Sequence, residues 1–326
     1  SAGLSLSRAI GVMKKQSKNK YFREILVEIE EGIKAGEPFG DVLKKQPKVW
    51  NNLFVSMVKA GEESGDVSKS LLEISIQMEK SNALRKKILG AMLYPAIIIC
   101  VMLLIAVLML IYVVPTLTST FSELKVELPI TTRSIIFASN FLKDHTILFI
   151  FGIILVGIFT YGIFKLKKTK KYIDYLSTRM PLIGNLVKQN NSAKTARTLS
   201  SLLVSGVEIV SALAITKEVL GNEYYRAILD EAAEGVQKGV QISDVFQKYE
   251  HLYPVFVSEM TAVGEETGKI SEMLGKVAVY YENEIEQKTK NISTIIEPVL
   301  MVVIGAAVGF FAVSMILPMY SLVNGL

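Results

Sequence analysis

The chain has 326 residues, half of them hydrophobic, and a formal net charge of +5 at neutral pH. That apolar share is high for a water-soluble domain and points to a large core or to membrane spans. A single cysteine excludes an intrachain disulfide and a cysteine-built metal cluster, and the modest charge, with no basic motif interleaved with aromatics, speaks against nucleic acid as a direct partner.

From the N-terminus, residues 1–91 read as a cytoplasmic helical domain. Phe22, Ile25, Leu26, Ile29 and Ile33 recur at helical spacing on one face, and Gly36 fits the helix end, where a left-handed residue is wanted. The stretch AGEESGD at 60–66 reads as a corner between helices. Gly61 and Gly65 allow a tight turn with positive φ, and Ser64 and Asp66 suit the cap of the next helix. Glu62 and Glu63 put negative charge at that helix's positive end, and the pair is also a candidate docking surface. Val67, Leu71, Ile74 and Met78 then form an apolar stripe, and 66–114 reads as one nearly continuous helix of about 70 Å.

Residues 92–114 carry no charge and exceed the roughly 20 residues that cross a bilayer. Residues 115–145 read as an outward-facing loop and 146–164 as a second span. Residues 165–294 read as a second cytoplasmic helical domain, 295–317 as a third span and 318–326 as an outward-facing tail. The flanks set this orientation: Arg85, Lys86 and Lys87 precede the first span, and Lys165, Lys167, Lys168, Lys170 and Lys171 follow the second. Lys288 and Lys290 precede the third, whereas Lys125, Arg133 and Lys143 in the intervening loop are balanced by Glu123, Glu127 and Asp144. Positive charge marks the cytoplasmic side.

The corner occurs twice. VGEETGK at 263–269 repeats AGEESGD, with Gly264, Glu265, Glu266 and Gly268 at a constant offset of 203 residues from Gly61, Glu62, Glu63 and Gly65. The register holds without a gap: YFREIL from Tyr21 matches YYRAIL from Tyr224, Asp41-Val42 matches Asp244-Val245, Pro95 matches Pro298, and Pro115 matches Pro318. The chain is therefore a duplicated unit of helical domain plus span, with the second span inserted between the copies. The fold class expected is all-α, an integral membrane protein with two homologous cytoplasmic bundles and three transmembrane helices.

No catalytic constellation is present in the sequence. GEETGK fails as a phosphate loop because only three residues separate its glycines and Ile270 stands where a Mg²⁺-binding Ser or Thr belongs. His145 and His251 are far apart, and no nucleophile–base pair, metal-ligand spacing or dinucleotide fingerprint occurs; no cofactor and no metal are expected. In the membrane segments, Gly305 and Gly309 form a GxxxG pattern that lets helices approach closely. Pro95 and Pro298 are candidate kinks, and Glu297 places an ionisable group at the edge of the third span.

Paired G-E-x-[ST]-G corners, Tyr94-Pro95 and Glu297-Pro298 opening spans, Pro115 and Pro318 closing them, and the order domain, span, span, domain, span together resemble the type II secretion F family, which includes the PilC-like platform proteins of type IV pilus assembly. The resemblance covers essentially the whole chain. It implies a non-catalytic, multi-pass protein of the bacterial inner membrane that forms a homo-oligomer. The partners it implies are a cytoplasmic assembly ATPase, pilin or pseudopilin subunits, and other inner-membrane assembly proteins. An alternative reading is a repeat-containing membrane transporter, although such repeats usually lie within the membrane; a membrane signalling protein would need a sensor or transfer domain that the sequence does not display. Residues 186–204 read as a helix ended by Gly206, whose counterpart is Gly3. The first repeat is thus expected to lack its first helix, and to expose an apolar face where Leu199, Leu202 and Leu203 serve the second.

Overall fold

The computed structural model describes residues 5–123, 129–145, 148, 151–152, 155, 167–180 and 183–323, and among these every regular element is helical. The first repeat comprises α1 (Leu6–Gln16), α2 (Lys20–Lys34), α3 (Phe39–Lys44), α4 (Asn52–Glu63) and the start of α5 (Val67–Leu108). A π-helical turn (Met109–Val113) joins α5 to α6 (Val114–Glu123), and α7 (Ile130–Asp144) and α8 (Lys167–Arg179) follow. Next comes α9 (Ile183–Val204), then the second repeat: α10 (Ile209–Val219), α11 (Glu223–Gln237), α12 (Ile242–Lys248), α13 (Val255–Thr267) and α14 (Ile270–Val323).

The helices obey the sequence repeat: α1, α2, α3, α4 and α5 begin at the residues 203 before the first residues of α10, α11, α12, α13 and α14. Tyr21 and Tyr224 occupy the same place in α2 and α11. The local reason is shared start signals. Asn19 and Asn222 cap α2 and α11 by accepting from Phe22 N–H and Tyr224 N–H, and Gly36 and Gly239 follow them at φ +83°.

Residues 1–85 and 171–286 form one compact unit, so both repeats fold together. In the first repeat Ile25, Leu26 and Ile29 of α2 are buried with Val42 and Leu43 of α3 and Met57 and Val58 of α4. Each such side chain contributes roughly 1.5–3 kcal/mol of transfer free energy. In the second, Tyr225, Phe246 and Tyr253 form the aromatic centre; the Tyr225 hydroxyl donates to Leu252 O at 2.8 Å, and the Tyr253 hydroxyl meets Thr195 of α9 at 2.9 Å. At the position of Tyr253 the first repeat has Trp50, whose Nε1 is buried with no hydrogen-bond partner among the described residues. The expected stripe of α5 is rotated: Ile74 and Gln77 are buried and Met78 is exposed, whereas its counterpart Tyr281 is buried.

Residues 86–170 and 287–326 form the second unit. Two helical stretches, Val67–Thr120 and Ile296–Pro318, are long and apolar enough to cross a membrane. The span at 146–164 lies outside the described residues apart from four scattered positions. The segment 115–145, expected as a loop, contains α6 and α7. Helix α7 packs Ile135 against Val114 and Met315, its Thr132 hydroxyl donates to Ser314 O at 2.5 Å, and its Ser139 hydroxyl donates to Leu110 O. Neither Pro95 nor Pro298 interrupts its helix. The departure from regular geometry is the π turn directly before Pro115. A proline ring cannot donate to the carbonyl four residues back and crowds it, and one wider turn relieves both problems.

Candidate functional site

The doubled corner is the site that the sequence singles out. Helix α4 ends at Glu63 and α5 begins at Val67; Gly65 provides the left-handed residue at φ +75°, and Gly268 does so at φ +68° after α13. Gly61 and Gly264 have a different role from the positive φ expected of them, since both lie inside their helices. A Cβ on Gly61 would come 2.4 Å from Ser70 Oγ, and one on Gly264 would come 2.8 Å from Ile270 Cα. They are glycine because the next helix crosses there at backbone distance.

The carboxylates divide into two kinds. Glu62 does not serve the helix that follows it. Its carboxylate accepts Phe39 N–H and, at 2.7 Å, Gly40 N–H, the first donors of α3. Glu265 does the same for α12, accepting Ile242 N–H at 2.6 Å, Ser243 N–H at 3.1 Å and the Ser243 hydroxyl. A helix start leaves such N–H groups without partners, and a carboxylate there is favoured by both hydrogen bonding and the helix dipole. Glu62 and Glu265 therefore clamp two helices together. Glu63 and Glu266 are exposed, with no hydrogen-bond or ion-pair partner among the described residues. Of the expected caps, Asp66 performs as one, accepting Lys69 N–H at 2.9 Å. Ser64 and Thr267 donate back to Gly61 O and Val263 O instead, because both sit on the final turn of the preceding helix.

The contact between the repeats has almost no signature in the sequence. Helix α9 carries buried Thr195, Thr198, Ser200 and Ser201. Gln77 of α5 donates to Thr198 Oγ1 and accepts from the Ser201 hydroxyl, each at 3.3 Å. On its other side, α9 holds α14 through a bidentate Arg197–Glu282 pair at 2.9 and 2.8 Å and a Ser200 hydroxyl bond to Ser271 O. Helix α4 touches α10, where Asn52 Nδ2 donates to Glu218 Oε2 at 2.8 Å. A glutamine beneath an otherwise apolar stripe is the one available signal, and it has no meaning until α9 is placed over it.

In the membrane unit, Glu297 and Pro298 are exposed on α14. Gly305 and Gly309 face open space, so this GxxxG packs against nothing described in the chain. Among the described residues, no group of three or more His, Cys, Asp or Glu side chains is arranged to hold a metal ion.

A family model for type II secretion system protein F matches residues 1–115 and 195–318. Curated relatives match over nearly the whole of this chain and about four-fifths of their own length. The chain is 34% identical to a type IV pilus assembly protein PilC of Thermus thermophilus, covering 100% of this chain and 80% of that one. It is 33% identical to a PilC of Pseudomonas aeruginosa, covering 99% and 86%. It is 29% identical to a type II secretion system protein F of Aeromonas hydrophila, covering 99% and 83%.

Proposed function

The chain belongs to the type II secretion system protein F family, and from that membership together with the corner geometry we propose that it is an inner-membrane platform protein of a fibre-building machine. It couples a cytoplasmic assembly ATPase to the addition of pilin or pseudopilin subunits. The relatives named for pilus assembly and for type II secretion support this class of role. Both repeats lie on the cytoplasmic side, as the lysines and arginines flanking the apolar stretches favour.

One observation carries the coupling. Each exposed carboxylate, Glu63 and Glu266, stands on a corner whose backbone is already satisfied by other groups, and each corner leads directly into a helix that continues into an apolar stretch. A push on such a corner is delivered along the helix that leaves it, α5 from the first corner and α14 from the second. Glu63 and Glu266 are the docking residues; Glu62 and Glu265 hold the corners in shape. The chain contributes no covalent chemistry, only positioning. The test is to replace the chromosomal copy with Glu63→Lys/Glu266→Lys and count surface fibres or secreted substrate. The reading expects loss of fibres or secretion with normal amounts of the chain in the membrane. Wild-type assembly by the double variant would overturn it.

A further inference from the structure

Helix α9 runs antiparallel to α5 and α14 and lies against both. Thr198 and Ser201 meet Gln77 on one side, while Arg197 meets Glu282 and Gln189 meets Glu284 on the other. On the α14 side, carboxylates face the donors of α9. On the α5 side the charges are not matched. Lys194 precedes Thr198 by one turn of α9, and Arg85 follows Gln77 by about two turns of α5. Both belong to the compact unit of residues 1–85 and 171–286. Lys194 is half-buried, Arg85 is exposed, and neither has a hydrogen-bond or ion-pair partner among the described residues. Burial, and then the Arg85 guanidinium beside it, push the Lys194 ammonium below the usual lysine range.

A half-buried ammonium has given up part of its hydration, and a neighbouring cation adds repulsion where a counter-charge belongs. Arg197, on the adjoining face of the same helix, has that counter-charge in Glu282. A bound anion relieves both costs at Lys194. A guanidinium and an ammonium together suit a phosphate group: the planar fork of arginine meets two oxygens, and lysine supplies a point charge to a third.

The position of Arg85 identifies the source of the phosphate. The uncharged run of α5 begins at Ile88, three residues or about 4.5 Å farther along the same helix. Lipid headgroups occupy about 5–8 Å outside each face of the hydrocarbon layer. Arg85 therefore stands at the depth of the lipid phosphates. We propose that Arg85 and Lys194 form a binding site for the phosphate of an anionic phospholipid, which supplies the counter-charge that the α5/α9 seam lacks. Positive charge beside a span also sets its orientation, but that role asks only for exposed residues close in sequence. It does not ask for a half-buried lysine brought to Arg85 from a distant helix. The site does not rest on motor docking at Glu63 and Glu266.

The test follows the thermal midpoint of the full chain in dodecyl maltoside micelles by circular dichroism. Phosphatidylglycerol, phosphatidylcholine or inorganic phosphate is added at equal concentration. Phosphatidylglycerol should raise the midpoint by about 3 °C or more, and the other two should leave it unchanged. Arg85→Gln and Lys194→Gln should each lose at least half of that shift. Lys80→Gln removes one exposed charge from the same helix and should keep it. In lipid-free micelles Lys194→Met should melt at or above the wild type, and with phosphatidylglycerol it should melt below, a crossing that a packing role does not produce. No shift in the wild type, a full shift in Lys194→Gln, or Lys194→Met melting well below the wild type without lipid would each overturn the site. Equal losses from Lys80→Gln and Lys194→Gln would reduce it to unspecific charge attraction and overturn it too. An equal shift from inorganic phosphate would overturn the lipid as its source.

Discussion

Glu62→Ala removes the acceptor for Phe39 N–H and Gly40 N–H at the start of α3, a helix of only six residues. Hydrogen bonds to a charged acceptor are worth about 1.5–3 kcal/mol each, and loss of a helix N-cap costs about 0.5–2 kcal/mol. The site is half-buried, so water recovers part of the loss, and a net cost of about 2 kcal/mol follows. Trp50, the only tryptophan, packs its ring 4.5 Å from Phe54 of α4 and 6.3 Å from Phe22 of α2, so its fluorescence reports the first repeat. In urea, with a slope of about 2 kcal/mol/M, the midpoint should fall by about 1 M. Glu62→Gln retains one acceptor oxygen and should lose about half as much. Glu63→Ala, on the exposed neighbour, should stay within about 0.5 kcal/mol of the parent. If Glu62→Ala and Glu63→Ala unfold at the same urea concentration, the clamp assigned to Glu62 is wrong.

Two further outcomes follow from the packing and the ion pairs. Gly264→Ala should lower the thermal midpoint of the full chain, at a cost of about 1–3 kcal/mol, because its Cβ would meet the backbone of Ile270. Gly275→Ala, whose Cβ would meet only the Ser200 hydroxyl at 3.2 Å, should be tolerated; equal losses from the two would refute the close crossing of α13 and α14. Glu30 bonds both Lys14 and Lys34, and these lysines hold its carboxyl well below the ordinary value of 4.5, at about 2. A lowered folded pKa adds stability above the unfolded value that is lost as pH falls through the folded one. Glu30→Gln should therefore be less stable than the parent at pH 7, with the gap closing between pH 4.5 and about 2; a gap independent of pH would exclude the pairing.

The sequence repeat made much of the fold legible, since a gapless register forces α1 to α4 and α10 to α13 into matched positions. The two apolar helical stretches were legible because an uncharged run as long as 92–114 matches the thickness of a bilayer and rarely suits a water-soluble core. The target of Glu62 was not, because the capped donors lie 22 and 23 residues away and only tertiary folding brings them to the carboxylate. The placement of α9 was hidden for a related reason. Residues 186–204 read as a helix, but its buried Thr195, Thr198, Ser200 and Ser201 resemble a solvated face until Gln77, Tyr253 and Ser271 are placed around them. Helix α7 was missed because its packing face mixes Ile135 with Thr132 and Ser139, which bond to carbonyls of other helices rather than forming an apolar stripe.

Whether this chain takes force from a cytoplasmic motor is tested most directly by capturing it from native membranes and measuring how much assembly ATPase comes with it. Docking at the two corners requires that the wild-type chain retain the ATPase. It also requires that Glu63→Lys/Glu266→Lys lose at least nine-tenths of the ATPase while its Trp50 unfolding midpoint stays unchanged. Full retention of the ATPase by that double variant would contradict docking at these carboxylates.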